Sequence, residues 1–140
     1  MDMTQFTFSY TEQEHPIFGQ ITRPLLKFAL YSTRFGEWLS VKKVLADTGA
    51  DISVVPLPLG QILVAEVELG QPIQLGGILS SNLIVNGFVH QIQAKIDDYH
   101  FDMPIAISTS STIPPILGRK NALDRFKVSF IHGKELILEI

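Results

Sequence analysis

Asp47 and Asp51 stand in the stretch VLADTGADISVVP, residues 44–56, where almost every other side chain is apolar or small. A carboxylate at the end of an apolar run is costly unless it is hydrogen-bonded or put to use. Thr48 follows with a hydroxyl, and Gly49 permits a tight turn in which backbone N–H groups can approach the Asp47 carboxylate. A carboxylate placed this way can take a proton from water or give one to a substrate. The same three residues also fit a strand-ending Asx turn with no chemistry, and Asp-Thr-Gly alone leaves both readings open.

The rest of the chain offers little competing chemistry. There is no cysteine, which removes disulfides, thiolate nucleophiles and Cys-based zinc sites. His15, His90, His100 and His132 lack metal-ligand spacing and read as structural or solvated, so neither metal nor cofactor is expected. No serine sits in a G-x-S-x-G setting and no phosphate-cradling loop occurs. The net charge of −3, with Lys and Arg scattered, gives no footprint for nucleic acid. The first residues have neither a basic start nor a continuous apolar core, and no apolar run is long enough to span a membrane. A soluble, cytoplasmic protein is expected.

The 140 residues, 46% of them hydrophobic, suffice for one domain with a substantial core and are too few for two. Alternation dominates the pattern. TQFTFSY puts Phe6, Phe8 and Tyr10 on one side. LLKFALYS and WLSVKKVLA flank Gly36 as a hairpin, and FVHQIQAKI and YHFDMPIAIS flank Asp97-Asp98 as another. FKVSFI and ELILEI flank His132-Gly133-Lys134 as a third. GRKNALDRF, residues 118–126, reads as a short helix with Ala122, Leu123 and Phe126 on one face. LGQILVAEVEL suits either helix or strand. Trp38 reads as a strand residue packing on the core. The expectation is an all-β chain with a closed or strongly bent sheet and one short helix.

VLADTGADISVVP, then LGG at 75–77, then PILGR at 115–119 together resemble the retropepsin-type, single-domain aspartic proteases, over roughly Leu25 to Phe130. The resemblance implies a closed acid-protease barrel, a two-fold homodimer and a peptide or protein substrate. It implies Asp47 as the catalytic carboxylate, Thr48 hydrogen-bonding across the dimer, and Gly49 lining the cleft beside Ala50. It implies that Asp51 pairs with Arg119, that Ile116, Leu117 and Gly118 pack beside the Asp47 loop, and that Leu75, Gly76, Gly77 and Ile78 belong to a flap closing over bound peptide. A guanidinium can hold a carboxylate through two parallel hydrogen bonds, so the Asp51–Arg119 pair also makes sense as a brace. Residues 1–20 form a longer lead-in, and residues 127–140 an additional hairpin that departs from the family pattern. Asn86-Gly87 is a second candidate for the flap-hairpin tip.

Carboxyls about 3 Å apart cannot both ionise, so a pair shares one proton and holds the acid and base roles together; this is the known behaviour of aspartic-protease dyads. The chain has one Asp-Thr-Gly and therefore supplies half of such a pair. An aspartic endopeptidase built on it requires Asp47 of a second copy across a two-fold axis. The alternative is a non-catalytic dimerisation or peptide-binding module with the same fold.

Overall fold

The structure, a computed structural model, describes residues 4–76 and 84–140. In chain order the strands are β1 (Gln5–Ser9), β2 (Thr11–His15), β3 (Gly19–Arg23), β4 (Leu25–Ser32), β5 (Glu37–Ala46) and β6 (Ser53–Val55). Helix α1 (Leu57–Leu63) follows, then β7 (Gln71–Gly76), β8 (Ile84–Ile96), β9 (Tyr99–Ser108), β10 (Ile116–Leu117), β11 (Lys127–Ile131) and β12 (Glu135–Glu139). The order β4-β5-β10-β6-β9-β8 closes on itself because β8 also pairs with β4 at Ala29↔Lys95 and Leu30↔Ala94. The expected all-β closed barrel is therefore present, with β7 attached to the outer edge of β8.

The alternation seen in the sequence decides what fills the barrel. Leu26, Leu30, Val44, Met103, Ile105, Ile107 and Leu117 are fully enclosed. Phe6 and Phe126 meet edge-on, with ring centroids 6.4 Å apart, where the β1–β12–β11 sheet joins the barrel core. The three hairpins form where Gly36, Asp97-Asp98 and His132-Gly133-Lys134 place them. Trp38 lies half-buried on β5, edge-on to Tyr31, with the Lys95 ammonium 4.4 Å above its ring.

Three details differ from the sequence expectation. The helix expected over 118–126 is a pair of turns ending in one 3-10 turn at Leu123–Arg125. Asn121 takes φ of +49° and Ala122 φ −130°, ψ −99°, so no continuous helix can pass. The expected face is nevertheless the buried one, since Ala122, Leu123 and Phe126 all lie in the core. The α-helix lies instead at Leu57–Leu63, overlapping the stretch that suited either state, with proline in its first turn, where a missing N–H costs nothing. Asn86 and Gly87 are not a hairpin tip: they lie inside β8, opposite Gln74 and Ile73 of β7. Gly77 and Ile78 lie outside the described residues.

Among the described residues, no helix is long and apolar enough to cross a membrane.

Candidate active site

Asp47 is the first residue after β5, and three backbone bonds fix that strand end. Leu45 N–H donates to Pro115 O at 3.0 Å, Ala46 N–H to Pro24 O at 3.1 Å, and Asp47 N–H to Leu117 O at 3.0 Å. β10 is thereby laid parallel to β5 (Ile116↔Leu45, Leu117↔Ala46) while pairing antiparallel with β6 at Ile116↔Val54. A two-residue strand wedged between two others brings PILGR, some 70 residues downstream in sequence, against the Asp47 loop.

The loop itself is an Asx turn. Gly49 N–H donates to Asp47 Oδ1 at 2.9 Å, and Ala50 N–H to the Asp47 carbonyl at 3.2 Å. The Asx turn read from the sequence is present, and it orients the carboxylate. One oxygen is held, and Oδ2 has no protein hydrogen bond among the described residues. Asp47 is partly exposed, and Thr48 and Gly49 are exposed.

Gly118 and Arg119 secure the far side. Arg119 N–H donates to Ala50 O at 3.0 Å and Lys120 N–H to Asp51 O at 2.9 Å, tying 119–120 to 50–51 as a short ladder. Arg119 Nη2 meets Asp51 Oδ1 at 2.6 Å. The pairing read from the sequence is made, through one contact and not through two parallel bonds. Both side chains stay wet, 47% and 88% exposed, so the pair adds little to the stability of a single chain. Asp51→Asn is expected to shift urea unfolding by less than about 1 kcal/mol.

Sequence reasoning missed Ser53. It is buried, its Oγ accepts the Gly118 N–H at 3.0 Å, and its hydroxyl lies 3.9 Å from Met103 sulfur. The only signal was a small polar residue inside an apolar run. Ser53→Ala leaves a buried N–H without its acceptor and is expected to cost about 1–3 kcal/mol by chemical denaturation.

One concavity borders the loop, and a second lies further back along β5. A cavity of about 180 Å³ lies between Gly49–Ile52 and Ile73–Leu75 of β7. Leu75 is itself buried, in a small cluster with Val54, Ala106 and Ile113. A larger concavity of about 490 Å³ is lined by Leu25, Leu45, Pro114 and Pro115, with Arg23 and Lys43 among its polar neighbours. Val44 and Ala46 point into the core, so Lys43, Leu45 and Asp47 share the outward side of the strand.

No family model matches the sequence, and no curated protein matches it significantly. Solved structures do match. A retropepsin-like aspartic protease from Rickettsia conorii aligns over 99% of this chain and 94% of its own, with a TM-score of 0.55 and 14% identity. The EIAV protease in complex with an inhibitor aligns over 75% of this chain and 86% of its own, with a TM-score of 0.48 and 23% identity. The chain has the retropepsin-like aspartic protease fold.

Proposed function

We propose that the chain is an aspartic endopeptidase whose active unit is a homodimer, with a water activated between two Asp47 carboxylates. The observation that carries this reading is the Asp47 turn: one carboxylate oxygen is fixed by Gly49 N–H, the other has no protein hydrogen bond among the described residues, and a cavity borders the loop in a retropepsin-like barrel. Two such groups brought together share a proton. The base form removes a proton from water, the acid form protonates the peptide carbonyl, and the tetrahedral intermediate collapses with proton transfer to the leaving nitrogen.

Thr48, exposed in one chain, would spend its hydroxyl across the dimer, and Gly49 and Ala50 would offer backbone groups to an extended peptide. Gly118, Asp51 and Arg119 hold the loop and do no chemistry. Leu75 and Gly76, at the end of β7, would form the root of a flap that excludes water over bound peptide.

One observation favours the second reading in its peptide-binding form, a module without turnover. Strand β12 is flanked by β1 and β11 of its own chain, so it has no free edge to give a partner. Incubation with a mixed peptide library separates the two readings. Internal cleavage at recurring sites is expected. Peptide retention without cleavage, at concentrations where sedimentation shows dimer, would overturn the enzyme reading. A chain that stays monomeric at every accessible concentration and pH would overturn the dyad.

A further inference from the structure

The β2–β3 hairpin ends in an apolar tip. Its turn reads His15-Pro16-Ile17-Phe18-Gly19, and Ile17 and Phe18 are 79% and 71% exposed. Exposed turns favour Asn, Asp, Gly and Ser, and the flanking strand β2 (Thr-Glu-Gln-Glu-His) is wholly polar. The strongly exposed apolar residues of the hairpin are confined to its turn. They are also held in place: Ile17 and Phe18 N–H groups lie 3.1 and 3.3 Å from His15 Nδ1, and the Phe18 ring stacks on His15 at 4.8 Å. Phe18 is therefore presented in a set pose. The other strongly exposed apolar residues are scattered, such as Leu69 and Phe35, the latter under the Arg34 guanidinium. Single residues of that kind need no explanation.

The foot of the hairpin is at the active site. Pro24, the residue after β3, accepts the Ala46 N–H beside Asp47 through its carbonyl, and β3 leads away from it for five residues. At strand rise, Phe18 lies about 20 Å from that foot. Beyond its turn the ribbon has only its own two strands as a sheet, and isolated two-stranded ribbons are marginal in water.

We infer that Ile17 and Phe18 dock on a second copy of this chain, making the β2–β3 hairpin an arm that embraces the partner. This rests on the dyad reading, which requires the partner's body to begin within about 3 Å of Asp47, at the foot of the arm. A 20 Å arm rooted there reaches well over a domain whose radius of gyration is about 14 Å. One Phe contributes about 150 Å² or more, and two-fold symmetry supplies two arms. Since a stable interface needs about 800 Å² per partner, the tip is an anchor and the Asp47–Gly49 loop region completes the contact. A preset pose lowers the entropy lost when the anchor seats.

The test is sedimentation of the full chain across a concentration series, for wild type, Ile17→Glu/Phe18→Glu, the milder Phe18→Ala, and Leu69→Glu as a control. The arm predicts at least a tenfold weaker self-association for the double variant, a smaller loss for Phe18→Ala and none for Leu69→Glu, with thermal midpoints unchanged at concentrations where the chain is monomeric, because these side chains are solvent-exposed there. Association within twofold of wild type for both tip variants overturns the proposal, as does a wild-type chain that never associates. Failure of the dyad has another signature: tip variants weaken association as expected, yet the wild-type dimer cleaves no peptide.

Discussion

Asp47→Asn is expected to lower kcat/KM for any cleaved library peptide by at least about 10³-fold, with the fold and self-association retained. Asparagine has nearly the shape of aspartate and keeps a carbonyl oxygen to accept the Gly49 N–H, so the turn that orients residue 47 survives. What disappears is a group able to carry a proton. A mixing experiment makes the prediction sharper. If each active unit needs an Asp47 from both chains, an equimolar mixture of wild-type and variant chains leaves roughly a quarter of the dimers with two aspartates under random pairing. Activity should fall to about that fraction of an all-wild-type sample at the same total concentration, whereas independent single-chain sites would retain half. A residual near one half therefore removes the dyad even if Asp47 proves essential. The pH profile adds a second check, because a pair active only with one shared proton gives kcat/KM that falls on both the acid and the alkaline side.

The parts of this fold that were legible in the sequence are those encoded by neighbours. Phe6 and Phe8, or Ile92, Ala94 and Ile96, repeat with the period of a strand, and the residues between them carry the turn chemistry that joins one strand to the next. Asp47, Asp51 and Arg119 stood out for another reason, the order and spacing of the short stretches that carry them, and the structure brings Asp51 and Arg119 together. The arrangement that unites them was not legible. β10 is two residues long, too short for any period, and its place between β5 and β6 is set by long-range backbone bonds. The misread helix at 118–126 shows how periodicity can be right about a face and wrong about the backbone. Ala122, Leu123 and Phe126 are buried as the spacing demands, but a left-handed Asn121 turns the chain before a helix can propagate. Ser53 escaped notice because its importance lies in the Gly118 N–H it accepts, a partner 65 residues away.

Gly118→Ala is expected to destabilise the chain by about 2–4 kcal/mol, lowering its thermal midpoint by roughly 10 °C, and to reduce peptide cleavage further than stability alone explains. A Cβ at this position would stand 2.5 Å from both the carbonyl carbon and oxygen of Ile52 and 2.9 Å from the Ala50 oxygen. All three obstacles are backbone, so no rotamer change relieves them. The 50–52 segment must move, and it is tied to the site on every side. Arg119 N–H bonds Ala50 O, Lys120 N–H bonds Asp51 O, and the adjacent Leu117 oxygen holds Asp47 N–H. Displacing 50–52 therefore shifts the loop that aims the carboxylate, and a misplacement near 1 Å at a reacting group costs on the order of 10²-fold in rate. Cleavage should be compared with wild type at a temperature where both are folded. Gly133→Ala supplies the contrast. Gly133 has φ of +67° in the β11–β12 turn, with only the Thr22 hydroxyl within 4 Å of an added Cβ. It should lose about 1 kcal/mol from the left-handed backbone and leave cleavage unchanged. Equal effects of the two substitutions on cleavage would mean that Gly118 serves the fold generally and does not position Asp47.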